Sequence, residues 1–289
     1  MTRSFTFIGG DKRQREALSL MADMGYDIKV FGLALRGIRG QVKEYASLCP
    51  ELFESDVLVL PIPYRDKEGY IDMDMAGLEL EKVDLEDLFH YVKPPTIIIL
   101  GRADQDFMAL AKEKSIEYYD LLKEESFSIL NAIPTAEGAI QIAMENSPIT
   151  LHGSKALVLG YGRIGKSLSR MLKGIGAHVS VGARKDQDLA WLRERGFEPI
   201  HINSLGKVLA SQNFIFNTIP YLILDKKALK KVNKDALIID LASYPGGTDF
   251  EAAKDLGIRA RLDLSLPGKV APQTAGKIIL DTMLKLVKA

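Results

Sequence analysis

The sequence predicts an α/β protein of two doubly wound parallel-sheet domains, and three observations carry that expectation. Short apolar runs alternate with helical patterns along nearly the whole chain, the order that parallel strands and their crossover helices produce. The run Ala156-Leu157-Val158-Leu159 enters Gly160-Tyr161-Gly162-Arg163-Ile164-Gly165, a G-x-G-x-x-G turn, and a helical pattern through Leu168, Met171, Leu172 and Ile175 follows. A long helical stretch from Glu125 to Asn146 and an amphipathic helix at the tail read as a hinge helix and a C-terminal helix crossing between two lobes. The expected division is residues 1–126, a flavodoxin- or Rossmann-like substrate-side domain on which helix 276–289 packs back, and residues 127–275, a linker helix with an NADP-binding Rossmann domain.

Composition bounds the function classes. With 289 residues, 47% of them hydrophobic and 26% charged, the chain has material for two cores of ordinary size. Acidic and basic residues balance at 38 each, so no global field recruits nucleic acid or an anionic membrane. Lys226, Lys227, Lys230, Lys231 and Lys234 have helical spacing without interleaved aromatics, the pattern of a solvated helix face. Cys49 is the one cysteine, which excludes an intramolecular disulfide and a cysteine metal cluster and fits a reducing cytoplasm. No signal-peptide pattern and no membrane-length apolar run is expected, and no metal.

In chain order, Phe5–Ile8 reads as the first strand, followed by Gly9-Gly10-Asp11 and a helix with Leu18, Leu20, Met21 and Met24 near one side. Further strands are expected at Asp27–Phe31, Asp56–Pro61, Thr96–Leu100 and Ile116–Tyr119, with helices at Leu85–Val92 and Gln105–Lys112. The first glycine pair stands where such sheets bind ligands but lacks a third glycine, so it reads equally as a tight turn. The loop Ile62–Gly77 is long enough for a lid or rim, or is surface decoration. Pro134 interrupts the long helical stretch by removing a hydrogen bond, so two helices are expected to meet near Asn131–Thr135. Asn131, Thr135 and Glu137 then form a polar cluster at a domain junction; alternatively Thr135 caps the second helix with Glu137 in its first turn.

Each glycine of the later turn has its own role. Gly160 makes the turn, Gly162 admits a pyrophosphate, and Gly165 lets helix and strand pack closely. The strand that follows, Gly176–Gly182, ends in Ala183-Arg184-Lys185, where an NAD site carries a carboxylate for the ribose hydroxyls. Two cations there fit a 2′-phosphate, hence NADP; the alternative is that they are solvated loop charges. Later strands are expected at Phe197–Ile200, Phe214–Thr218, Ala236–Ala242 and Ile258–Leu262, with helices around Leu189–Leu192, Leu205–Leu209 and Ala252–Leu256. Polar strand ends, Asn217-Thr218-Ile219-Pro220 and Asp240 through Asp249, place Asn217, Thr218, Ile219, Pro220, Ala242, Ser243 and Gly246 among the candidates for cofactor or substrate contact. Asp249 reads as a helix N-cap. From Ala271 on the tail reads as one helix with an apolar stripe through Ile278, Ile279, Met283, Leu286 and Val287.

Several stretches together resemble one family: Ile8-Gly-Gly-Asp11 with Arg13-Gln14, Asn131 to Gly138, Asn217 to Pro220, Asp240 to Phe250, and Leu266-Pro-Gly-Lys-Val-Ala-Pro-Gln-Thr-Ala-Gly276. They resemble the A subunits of dipicolinate synthase, dehydrogenase-like proteins of spore-forming bacteria, and the wider layout is similar to D-2-hydroxyacid dehydrogenases and adenosylhomocysteine hydrolases. The resemblance implies oxidation of a dihydro- or 4-hydroxytetrahydro-dipicolinate from the lysine pathway to pyridine-2,6-dicarboxylate, in the mother cell during sporulation. It further implies the flavoprotein-like B subunit of dipicolinate synthase as partner, with self-association as well. Thr135, Ser243 and Lys269 become candidate catalytic residues on this reading, and Arg13, Ser128, Asn131, Glu137, Pro267, Gly268 and Thr274 candidate substrate contacts, with Lys12 a further cation for the carboxylates. Surface charges and helix caps are the alternative for each. The chain departs from the hydroxyacid dehydrogenases in having no clear Arg, Glu and His triad: His152, His178 and His201 flank the sheet. Two other functions stay open: a noncatalytic NADP-binding scaffold for the partner, and a D-2-hydroxyacid dehydrogenase-like oxidoreductase.

Overall fold

The computed structural model describes residues 3–38, 40–73 and 80–288. It contains two compact units, Met1–Asn131 with Pro267–Ala289, and Ala132–Leu266. The boundaries fall at 131/132 and 266/267, where the sequence pattern points to 126/127 and 275/276. In each unit six parallel strands form a doubly wound sheet, as the strand–helix alternation predicts.

The first unit runs β1 (Ser4–Ile8), α1 (Lys12–Asp23), β2 (Asp27–Phe31), β3 (Val42–Glu44), β4 (Val57–Val59), α2 (Leu85–Tyr91), β5 (Ile97–Leu100), α3 (Gln105–Glu113) and β6 (Glu117–Asp120). Its strand order is β3-β2-β1-β4-β5-β6. Phe5, Phe7, Ile8, Ile98 and Ile99 are fully buried, because both faces of a parallel sheet are covered. The edge strand β3 has no signature in the sequence: Val-Lys-Glu is short, polar and largely exposed. The last strand starts at Glu117, one residue later than expected, and Ile116 ahead of it is buried. Aspartates start the helices, with Asp11 Oδ1 accepting from Arg13 N at 2.8 Å and Gln14 Oε1 accepting from Asp11 N at 3.1 Å in a capping box. Parts of the 62–77 loop are packed inward: Tyr64 and Ile71 are buried, and Gly10 N donates to Asp72 O at 2.8 Å, while Asp66, Lys67 and Glu68 are exposed. Residues 74–77 of that loop lie outside the described residues.

The expected pair of helices around Pro134 is a single helix, α4 (Glu125–Glu145). Thr135 consequently lies inside a helix rather than at its start, and Glu137 is not in a first turn. Proline removes one donor, about 3 kcal/mol in a helix interior, yet Ala132, Ala136, Ala139 and Ala143 are all buried. Their spacing is one continuous helical stripe across Pro134, so burial on one face holds both halves on one axis.

The second unit continues with β7 (Lys155–Leu159), α5 (Arg163–Ile175), β8 (His178–Ala183), α6 (Asp186–Glu194), β9 (Glu198–His201), β10 (Phe214–Asn217), α7 (Lys226–Leu229), β11 (Leu237–Asp240), α8 (Phe250–Asp255) and β12 (Arg259–Leu262). The order β12-β11-β10-β7-β8-β9 puts the strand before the glycine turn at the centre, beside the reversal of direction. Two expected helices are reduced. Residues around Leu205–Leu209 form 3₁₀ turns, Ile202–Lys207 and Leu209–Ser211, in a run of Asn203, Ser204 and Gly206 with poor helix propensity. The lysine-rich helix is one turn, because Asn233 Oδ1 takes Asp235 N at 3.1 Å and closes a side-chain turn instead; all five lysines are exposed.

The chain returns to the first unit through α9 (Leu266–Val270), a short helix without a signal in the sequence, and α10 (Pro272–Val287). Ile278, Ile279 and Met283 of α10 share a core with Phe5, Phe7, Leu18 and Met21. Gly276 makes this approach to α1 possible: a Cβ there would stand 2.6 Å from Glu16 Cβ and 2.8 Å from Arg13 O.

Candidate dinucleotide site

The site grows from the end of β7. Gly160 has φ +100, a left-handed conformation that favours glycine, and a Cβ on it would lie 2.4 Å from Thr218 Oγ1. Gly165 faces the turn from the first coil of α5, where a Cβ would fall 2.0 Å from Gly160 O, a backbone atom with nowhere to move. Gly162 is different. It is the N-cap residue of α5 and gives no side-chain cap, and a Cβ added to it would meet nothing within 4 Å. Two glycines therefore serve packing, while the third leaves open space in front of a helix N-terminus, whose dipole favours an anion. Arg163 and Ile164 begin that helix. Tyr161 is buried, its hydroxyl accepting from Arg195 Nη1 at 3.1 Å.

Beside the turn is a cavity of about 370 Å³, lined by Gly160, Tyr161, Ala183, Arg184, Lys185, Asp188, Ile202, Ile219, Tyr221 and Ile223. Its size and mix of apolar wall and few charges suit the adenosine half of a dinucleotide. Arg184 and Lys185 are exposed at the tip of β8, and among the described residues neither has an ion-pair partner. The open cradle at Gly162, the cavity and the two cations together fit a nicotinamide dinucleotide. Four lining residues are not among the sequence candidates: Asp188, Ile202, Tyr221 and Ile223. Asp188 has a legible signal, a carboxylate shortly past the cation pair at the strand tip; the other three have none.

Of the polar strand-end candidates, Ile219 lines this cavity. Thr218 Oγ1 donates to Leu159 O at 2.8 Å, and Asn217 is wholly buried, its Oδ1 accepting from Ile219 N at 3.1 Å. Ala242 is buried and Gly246, at φ +86, is packed against Asp240; Pro220 and Ser243 are exposed. Asp249 caps α8, accepting from Ala252 N at 2.9 Å.

Candidates for substrate contact are divided between the units. Thr135, Glu137 and Ser243 belong to the second unit, and Ser128, Asn131, Pro267, Lys269 and Thr274 to the first. Ser128 Oγ donates to Leu122 O at 3.1 Å, while Glu137, Lys269, Thr274 and Lys12 are exposed. Arg13 is buried, and Asp11 holds its Nη2 at 2.8 Å while Ile62 O accepts from the same nitrogen. A carboxylate arriving there would meet a cation already neutralised. Gly268 lies against this pair, where a Cβ would be 3.3 Å from both Arg13 Nε and Asp11 Oδ2, so its smallness serves helix packing. Among the described residues no cluster of histidine, cysteine, aspartate and glutamate could hold a metal ion, and no helix is long and apolar enough to cross a membrane.

Comparison with known proteins matches residues 4–122 to the model of the N-terminal domain of the dipicolinate synthase A subunit. Residues 133–243 match the NAD-binding domain of D-isomer specific 2-hydroxyacid dehydrogenases. The chain is 34% identical to the dipicolinate synthase A subunit of Bacillus subtilis, over 97% of this chain and 94% of that one. Among solved structures, that of the dipicolinate synthase A subunit from Bacillus halodurans is similar with a TM-score of 0.89 and 33% identity, covering 100% of this chain and 99% of the other. The A chain of Bacillus subtilis dipicolinate synthase is similar with a TM-score of 0.88 and 32% identity, covering 100% and 96%.

Proposed function

The chain belongs to the family of dipicolinate synthase A subunits, and from that premise we propose that it is the NADP-linked dehydrogenase component of a dipicolinate synthase. Its substrate is then a dihydro- or 4-hydroxytetrahydro-dipicolinate and its product pyridine-2,6-dicarboxylate. The observation that carries the reading is the cradle at Gly162 with Arg184 and Lys185 at the neighbouring strand tip, inside a chain matched over 97% of its length to a member of this family. The dihydro ring must lose a hydride and a proton to become aromatic, and the hydroxytetrahydro compound must lose water first. When bound, the oxidised nicotinamide accepts the hydride.

The protein's own share is binding and orientation. The N-terminus of α5 and the Gly160–Gly165 turn take the pyrophosphate, Arg184 and Lys185 the 2′-phosphate, and Asn217 to Pro220 with Ala242 and Ser243 the wall on the nicotinamide side. Thr135, Ser243 and Lys269 are proposed to handle the ring and its carboxylates, with Ser128, Asn131, Glu137 and Thr274 as further polar contacts. That the relatives are named as one lettered component of a synthase supports a second component as partner. A flavoprotein-like B subunit in that role, self-association and a place in the sporulating mother cell are part of the same proposal.

The test mixes the chain, with and without the partner protein, with freshly made intermediate and NADP, and follows the absorbance of reduced nicotinamide together with dipicolinate. Both are expected to form, and formation of neither in either mixture overturns the reading. Thr135→Val and Ser243→Ala, checked for retained cofactor binding and complex formation, separate a catalytic protein from a noncatalytic scaffold: a scaffold keeps full turnover in both.

A further inference from the structure

Asp240 ends β11 with its side chain completely buried, and every partner it has is a neutral donor. Oδ1 accepts from Asn217 Nδ2 at 3.0 Å and from Ala242 N at 3.0 Å. Oδ2 accepts from Gly247 N at 2.8 Å and from Thr248 Oγ1 at 2.7 Å. No lysine or arginine among the described residues forms an ion pair with it. A buried carboxylate is costly unless its lone pairs are filled, and here four donors from two loops fill them.

Those donors tie the cofactor wall together. Asn217, at the end of β10, uses its remaining amide capacity on Ile219, donating to Ile219 O at 3.1 Å and accepting from Ile219 N at 3.1 Å. Ile219 lines the cavity, and its Cγ1 would stand 3.1 Å from a Cβ on Gly160. From the other loop, Gly247 O accepts from Ile223 N and Leu224 N, both at 2.9 Å, and a side chain at 247 would strike Asn217 Nδ2, Ile219 O and Tyr221 O within 2.6 Å. Ile219 and Ile223 are thus two lining residues whose backbone is tied to the Asp240 carboxylate through one neighbour each, Asn217 and Gly247.

We propose that Asp240 is the positioning residue of the cofactor site, holding the 217–224 and 242–248 loops in the conformation that receives the dinucleotide. It touches neither cofactor nor substrate; it acts through Asn217 and Gly247. The inference rests on the nicotinamide-binding reading of the cavity but not on the choice between NADP and NAD, because the hub lies away from Arg184 and Lys185. Without it, the loops must be ordered at the moment of binding, and that cost appears as lost affinity.

The experiment is calorimetric titration of the full chain with NADP and with NAD, for wild type, Asp240→Asn, Thr248→Val and Thr248→Ser, beside a thermal melt of each. Thr248→Val is nearly isosteric and removes one donor, so Kd is expected to rise about tenfold, the factor that one hydrogen bond to a carboxylate represents. Thr248→Ser keeps the hydroxyl and returns Kd toward wild type. Asp240→Asn sets an amide donor against Gly247 N–H and raises Kd more than Thr248→Val does. The rise is the same factor for both dinucleotides, so their affinity ratio is unchanged. Variants that melt earlier yet bind with wild-type Kd overturn the proposal and leave Asp240 a purely structural residue. A shifted NADP-to-NAD ratio also overturns it. Wild-type protein that binds neither dinucleotide would instead sink the cofactor reading, and the positioning role with it.

Discussion

Gly162→Ala tests the phosphate cradle with the least damage elsewhere. The backbone at Gly162 has φ −80 and ψ −163, an extended conformation alanine adopts freely, and the added Cβ meets nothing within 4 Å. Two small effects on stability oppose one another. Fewer conformations in the unfolded chain stabilise the variant by about 0.4–1 kcal/mol. Alanine is a poorer N-cap than glycine, which costs roughly 0.5–1 kcal/mol. The melting temperature should therefore stay within about 2 °C of wild type. Binding has no such offset, since the methyl occupies the space in which a pyrophosphate approaches the helix N-terminus. Losing one charge-assisted hydrogen bond costs about 1.5–3 kcal/mol, a Kd increase of roughly ten- to a hundredfold. Gly165→Ala is the contrasting case, because its Cβ falls 2.0 Å from Gly160 O and the melting temperature drops together with binding. Calorimetric titration with NADP and a thermal melt, run on both variants, give the two quantities. Wild-type Kd in Gly162→Ala would show that the pyrophosphate does not run along this turn.

Further outcomes follow from other sites. Arg184→Ala with Lys185→Ala should raise the Kd for NADP by about ten- to a hundredfold while NAD changes by less than about threefold; equal losses in parallel titrations would remove the 2′-phosphate from this strand tip. Gly276→Ala forces α10 off α1, since the Cβ would lie 2.6 Å from Glu16 Cβ and 2.9 Å from Ala17 N. A loss of about 1–3 kcal/mol in denaturant unfolding is expected, and an unchanged midpoint would contradict the close packing. The Asp56 carboxyl is held below its ordinary value of 3.8, chiefly by Ser4 N donating at 2.7 Å. A depressed carboxyl contributes stability that is present above its unfolded value and lost as pH falls through the folded one. Asp56→Asn should therefore flatten the stability profile below about pH 4, and an identical acid limb in the variant would count against it.

The fold is legible in the sequence because it rests on patterns that burial imposes directly. Phe-Thr-Phe-Ile and Leu-Ile-Ile-Asp are nearly all apolar because both faces of a parallel strand are covered, and no local rule competes with that. The departures come where a local rule meets tertiary packing. Pro134 should break a helix on its own chemistry, and the buried alanine stripe from Ala132 to Ala143 outweighs it. The lysine run has helical spacing, and an asparagine side chain two residues past Lys231 closes a turn instead.

The candidate site shows a different limit, visible in its glycines. Gly160, Gly162, Gly165, Gly268 and Gly276 are alike as letters, and nothing local tells a ligand contact from a packing contact among them. Their neighbours separate them: Gly165 and Gly276 make room for backbone, Gly268 for the Asp11–Arg13 pair, and Gly162 alone among these five for nothing the chain itself supplies. A sequence records that a side chain is excluded and is silent on what excludes it. The distinction matters for function because, of these five, Gly162 is the one whose exclusion of a side chain the chain's own packing does not explain. The same reasoning applies in reverse to Asp240, which as a letter at a strand end suggests chemistry. Its four donors, all from the protein, show a carboxylate facing inward, and its bearing on function runs through the loops it holds.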